Sequence, residues 1–207
     1  MEDVLDLYAE AYDPAYPVVC FDESPYQLIS ETRQALPPAP GQPTRIDYEY
    51  RREGTCNLFM FFEPANGWRH VKVTAQRTAS DWAQCMKDLV DVHYPNATLI
   101  SVVQDNLNTH TPANLYAVFP PAEARRIISR LDFRYTPKHG SWLNMAECEF
   151  AVLQRQCLST RIALADLVQT KTAAWEAERN AVKATVQWRF TSKNARTKLK
   201  RLYPSQS

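Results

Sequence analysis

Two aspartates standing directly after buried strands are the chemistry-bearing feature of this chain. Pro17-Val-Val-Cys-Phe-Asp22 runs four apolar residues into a carboxylate, and Leu99-Ile-Ser-Val-Val-Gln-Asp105 does much the same. In open α/β sheets, ligands gather beyond the C-terminal ends of the strands. If these two strands are parallel neighbours, a spacing of about 4.8 Å brings both carboxylates within reach of one ion. Like charges that close repel, and without a cation one of them would keep its proton. A divalent ion removes the conflict, and oxygen-only donors favour magnesium or manganese over zinc. A lone aspartate after a strand is ordinarily a turn or capping residue. It is the pairing that points to a metal centre.

The elements that must position these acids follow from periodicity. Leu58–Phe62 is a solid apolar run, Pro64-Ala-Asn-Gly67 is turn chemistry, and Val71, Val73 and Ala75 alternate with polar residues. Together they predict a hairpin. Ala79, Trp82, Ala83, Met86, Leu89, Val90 and His93 fall on one helical face, with Thr78 or Ser80 as cap. Residues 112–130 read as helix broken at Pro120-Pro121, and Leu131, Phe133 and Tyr135 as a short strand. Leu143, Ala146, Phe150, Leu153 and Cys157 mark another helix. A last one carries Leu164, Leu167, Val168, Trp175 and Val182, with Lys171 and Glu178 inside the stripe. Residues 3–11 form a short helix at best, and 35–44 are a proline-rich loop. This order predicts an α/β fold: a central sheet flanked by helices, with an antiparallel hairpin and a helical crossover to a parallel strand.

The 207 residues, 45% hydrophobic and 11% aromatic with four glycines, suffice for one well-buried core and exclude general disorder. No run approaches the roughly 18 apolar residues of a membrane span, and no secretory leader is readable. Cytoplasmic residence is therefore expected. Five cysteines without a CxxC pair read as reduced thiols, mostly packed in the core, rather than as a zinc site. The net charge of +1 conceals a division. Residues 179–207 hold eight Lys or Arg and no acid, whereas the rest carries 16 basic and 23 acidic side chains. A basic tail on an acidic body suits a nucleic-acid partner, with a solvated terminal helix as the plain alternative.

Cys20-Phe-Asp-Glu-Ser24, Asp105-Asn-Leu-Asn-Thr-His110 and Pro137-Lys-His-Gly-Ser-Trp-Leu-Asn-Met-Ala-Glu147 resemble, in order, three active-site blocks of one family. They are similar to those of the DDE transposases of bacterial insertion sequences in the Tc/mariner superfamily. Leu5-Asp-Leu-Tyr8, Tyr50-Arg-Arg-Glu-Gly-Thr55, Trp188-Arg-Phe-Thr191 and the stretch from Ala195 to Pro204 extend the likeness along the chain. The 41 residues between Asp105 and Glu147 exceed the interval usual in eukaryotic relatives.

The resemblance implies an RNase H-like fold with a five-stranded mixed sheet. It implies Asp22, Asp105 and Glu147 as catalytic, metal-binding acids, and two magnesium or manganese ions. The implied activity is cleavage and strand transfer of element ends in double-stranded DNA, into TA targets. Alternatives are a nuclease that never joins and an inactive DNA-binding derivative. Glu149 competes with Glu147 for the third place, and Asn144-x-x-Glu147 also fits a helix-capping box. Glu23, on the opposite face of the strand from Asp22, is expected as a supporting or surface side chain. Asn106, His110 and His139 would hold a carboxylate, the attacking water or a phosphate, or be ordinary polar turn residues. Lys193, Arg196, Lys198, Lys200 and Arg201 are DNA-backbone candidates. The expected organisation is a short helix or linker over 1–16, a core over 17–160 and C-terminal helices with the basic tail over 161–207. A homodimer is expected from the need to join two ends, and the helix-turn-helix modules usual in the family are expected upstream of this chain.

Overall fold

The computed structural model describes residues 1–33, 37–43, 47–138 and 140–203, and residues 35–36 and 44 of the predicted 35–44 loop lie outside them. A five-stranded sheet runs in the order β3-β2-β1-β4-β5. Its strands are β1 (Val18–Glu31), β2 (Tyr50–Glu63), β3 (Trp68–Thr74), β4 (Ile100–Gln104) and β5 (Leu131–Tyr135). The first three pair antiparallel, while β4 lies parallel to both β1 and β5. Among the described residues seven α-helices accompany them: α1 (Glu2–Ala9), α2 (Ala79–Asp88), α3 (Ala113–Val118), α4 (Pro121–Ile128), α5 (Met145–Gln156), α6 (Ala165–Ala181) and α7 (Ser192–Lys198). None of the described helices is long and apolar enough to cross a membrane.

Strand alternation divides the core into two layers. Val19, Phe21, Phe59, Phe61 and Val102 point to one face and meet Trp82, Met86, Leu115 and Ile127 from α2, α3 and α4. Cys20, Met60, Phe62 and Val103 point to the other and meet Leu5, Ala146, Leu153, Val168 and Trp175 from α1, α5 and α6. Burial on both faces explains why residues 58–62 read as an unbroken run rather than an alternation. Thr78 and Asp81 close a reciprocal capping box on α2. The double proline separates α3 from α4, with Pro121 opening the latter where it needs no N–H.

Two elements depart from the sequence expectation. β1 does not end at Asp22 but continues to Glu31, paired along β2. Its outer half faces the largely exposed residues 50–55, so it carries no apolar run to betray it. A bulge at Glu53 and Gly54 (φ +112°) bends this outer hairpin. On α6 the buried residues are Val168, Thr172 and Trp175, whereas Leu164, Leu167 and Val182 are exposed. The inward face of α6 is instead set by polar work on the sheet edge. Asn180 accepts from Arg69 N at 2.9 Å and donates to Arg69 O at 2.8 Å, and Glu176 accepts from Val71 N at 2.9 Å. These bonds satisfy edge-strand groups that would otherwise invite pairing with another chain.

Gly67 closes the β2–β3 turn at φ +70°, and a Cβ there would stand 2.6 Å from the Lys183 carbonyl carbon. Gly67→Ala should therefore cost about 2–4 kcal/mol, combining left-handed strain with a backbone clash. Thermal melting checks this, and an unchanged midpoint would contradict it.

Candidate active site

The parallel register aligns Val18, Val19 and Cys20 with Ser101, Val102 and Val103, and two further steps set Asp22 beside Asp105. Asp22 therefore sits where its parallel partner runs out, not where β1 itself ends. Alternation aims both aspartates at the α5 face, with Cys20 and Val103 behind them. Asp22 Oδ1 accepts from Glu23 N at 2.9 Å. Burial pushes the Asp22 carboxyl up to about 7. The Glu23 N–H opposes this, and the charges of Glu23, Asp105 and Glu147 add to it.

Glu147 arrives from α5. Asn144 caps that helix by accepting from Ala146 N at 3.1 Å, and its Nδ2 donates 2.8 Å to Phe21 O, the carbonyl just before Asp22. Tyr8 Oη holds the same turn by donating to Leu143 O at 2.8 Å. One capping residue thus ties the helix N-terminus to the strand, and Glu147 stands exposed in the first turn. Glu149, two residues on, is 1% exposed and points into the protein. Its Oε1 lies 2.8 Å from Arg69 Nε and 2.8 Å from Arg179 Nε, and it belongs to a buried ion cluster rather than to the aspartates.

His110 supplies the third contact to this group. Its Nδ1 is 2.6 Å from Asp105 Oδ1, and its Nε2 is 2.9 Å from Glu23 Oε2. Burial alone would lower its pKa, but the adjoining Asp105 and Glu23 carboxylates outweigh that and hold it at about 9. Glu23 is therefore no surface residue: its side chain is 6% exposed, under the α2 layer. Strand alternation placed it on the right face. What sequence could not show was a histidine 87 positions away turning that face into a buried pair. Asn106 is exposed on the loop after β4, and His139 lies outside the described residues.

A family model described as "DDE superfamily endonuclease" matches residues 17–168, a span that contains Asp22, Asp105 and Glu147. The chain belongs to the DDE superfamily endonucleases. In fold, this endonuclease resembles the crystal structure of the Mos1 mariner paired-end complex with Mn. Identity is 14%, the TM-score is 0.57, and 88% of this chain covers 55% of that one. It thus spans about half the length of the mariner protein, and its sheet is the RNase H-like one. A Mos1 transposase paired-end complex with left transposon end also matches, at 12% identity and TM-score 0.35, over 90% of this chain and 62% of that one. Comparison with curated proteins returns no match.

The acids of this endonuclease are neighbours rather than a closed cage. Among the described residues, no three His, Cys, Asp or Glu side chains are spaced to hold one ion as they stand. Asp105 Oδ1 is turned inward to His110. The donor set nevertheless fits a hard divalent cation in kind. It is all oxygen, and Asp22, whose pKa is raised first by burial and then by the charges of Glu23, Asp105 and Glu147, is a carboxylate whose ionised form such an ion would stabilise.

The five DNA-backbone candidates of the tail divide. Arg196 forms a two-pronged pair with Glu2, at 2.8 and 2.7 Å, and anchors α7 to α1. Lys193, Lys198, Lys200 and Arg201 are exposed.

Proposed function

We propose that this chain is the catalytic domain of a Tc/mariner-type DNA transposase, cutting and joining DNA strands with Asp22, Asp105 and Glu147. The observation that carries the reading is the parallel register of β1 and β4, which sets Asp22 beside Asp105, the residue directly after β4, with both facing the helix whose capped N-terminus presents Glu147. Two magnesium or manganese ions, bound by these three acids, would lower the pKa of the attacking hydroxyl and steady the leaving oxygen. The chain itself contributes alignment and charge. Asp22, poised near neutrality, gives up its proton readily and becomes an oxygen donor. Asn144 keeps the N-terminus of α5 against β1, so Glu147 approaches the aspartates from the side opposite α2. Water attack would free a 3′-hydroxyl at the element end, and that hydroxyl would attack target DNA at a TA step. The element's terminal inverted repeats are the expected DNA partner, and a homodimer would hold two ends together.

The test is incubation with labelled element-end duplexes and plasmid in magnesium or manganese. Metal-dependent nicking with joined products supports the reading, nicking without joining indicates a nuclease, and no nicking removes it.

The exposed tail cations are expected to meet DNA phosphates. Replacing Lys193, Lys198, Lys200 and Arg201 together by glutamine should flatten the slope of log K against log salt by roughly 3–4. An unchanged slope would return the tail to a purely structural role.

A further inference from the structure

We infer that Glu23 and His110 form a positioning clasp that commits one oxygen of Asp105 inward and leaves the other as its single free donor. The inference deepens the proposed function and rests on Asp105 being a metal ligand.

The ring of His110 has little freedom. Phe21 meets it edge-on at 5.7 Å between centroids, and Trp82 lies nearly parallel at 6.1 Å. Its backbone is pinned as well: His110 O accepts from Gln104 Nε2 and from Tyr135 Oη, each at 3.1 Å. Gln104 is itself fixed by the Trp82 indole N–H, which donates to its Oε1 at 3.0 Å. Gln104 lies between Val103 and Asp105 on β4 and points to the α2 face, as Phe21 and Glu23 do on β1. His110 is thus locked to the layer behind the strands and reaches Asp105 around the end of β4.

The two carboxylates it touches have no other use for those oxygens. Asp105 Oδ1 and Glu23 Oε2 are buried and, among the described residues, neither accepts an aligned hydrogen bond; the His110 ring nitrogens, at 2.6 and 2.9 Å, are the charged partners that face them. A buried carboxylate without a partner is costly, and the histidine, 1% exposed, is the group that answers both. The Asp105 side chain as a whole is 37% exposed, so its exposure belongs to the remainder of the carboxylate, on the α5 side. Outer partners of this kind orient a ligating group, and their loss typically weakens metal binding by 10- to 100-fold. Glu23 acts through His110, and His110 through Asp105.

Manganese titration of the full chain, followed by electron paramagnetic resonance, tests the clasp on wild type, Glu23→Gln, His110→Gln and the double variant. Each single change should weaken manganese uptake by about 10- to 100-fold. The double should be no worse than the more damaging single, since one unit is broken either way. DNA binding in EDTA should not move. Glu23→Gln with wild-type circular dichroism and manganese affinity within twofold would overturn the proposal, as would additive losses. If His110→Gln fails to fold, Glu23→Gln alone decides. A crystal structure of the metal-free wild type supplies a separate readout: the His110 ring nitrogens should lie within hydrogen-bond distance of Asp105 and Glu23, and a ring turned away from either carboxylate would refute the clasp. Wild type that takes up no manganese would instead sink the proposed function, while that crystal structure would still judge the Glu23–His110–Asp105 contacts.

Discussion

Asp22→Asn is expected to slow DNA cleavage about 1,000-fold or more and, in the same metal-free protein, to raise the melting temperature. The two effects share one cause. Burial and three neighbouring carboxylates hold the Asp22 pKa at about 7, against an ordinary 3.8. Between those values the folded chain binds more protons than the unfolded one, so stability falls as pH rises through that window. The loss is complete above pH 7, where ionised Asp22 costs on the order of 3 kcal/mol. Asparagine escapes it and can still accept the Glu23 N–H that Asp22 Oδ1 accepts. The gain over wild type should vanish near pH 4 and reach roughly 6–10 °C at pH 8 for a chain of this length. Calorimetry in EDTA at both pH values measures it. Equal melting temperatures at pH 8 would mean that Asp22 is not crowded by charge.

Glu147→Gln and Glu149→Gln are expected to show opposite behaviour, although they stand only two positions apart. Glu149→Gln removes the carboxylate facing fully buried Arg69, leaving that guanidinium only the Gly67 and Ala184 carbonyls and Asn180 Oδ1. Breaking a buried pair from one side costs about 3–5 kcal/mol. Arg179 also loses the partner it holds at 2.8 Å. Glu147 is exposed in the first turn of α5, so its amide should change stability by less than about 1 kcal/mol through the helix dipole. Cleavage should nonetheless fall as steeply as for Asp22→Asn. Paired melting and nicking assays read both. Cleavage lost at unchanged stability in Glu149→Gln, with Glu147→Gln active, would reverse the assignment.

What was legible in the sequence follows from the range of the forces concerned. The buried strands before Asp22 and Asp105 announce themselves because both faces are covered, which demands apolar residues in series. The break before Pro121 and the cap at Thr78 are decided by neighbours in the chain. The outer half of β1 was illegible because it pairs only with an exposed strand and needs no apolar pattern. The α6 stripe misled because its inward face is chosen by Glu176 and Asn180 meeting the β3 backbone more than 100 positions earlier. Glu149 could not be told from Glu147 by periodicity, since what separates them is Arg69, far away in sequence. The site shows the same division. The aspartates were readable from the buried apolar runs that precede them, whereas the inward turn of Asp105 depends on a histidine whose rigidity comes from Phe21, Trp82 and Gln104.

The central claim is that Asp22, Asp105 and Glu147 act on a common set of divalent ions. Calorimetric titration of manganese into wild type and into Asp22→Asn, Asp105→Asn and Glu147→Gln addresses it most directly. Uptake by wild type that is lost or greatly weakened in each of the three variants is the predicted result. The same uptake in all four proteins, or none in any, would contradict it.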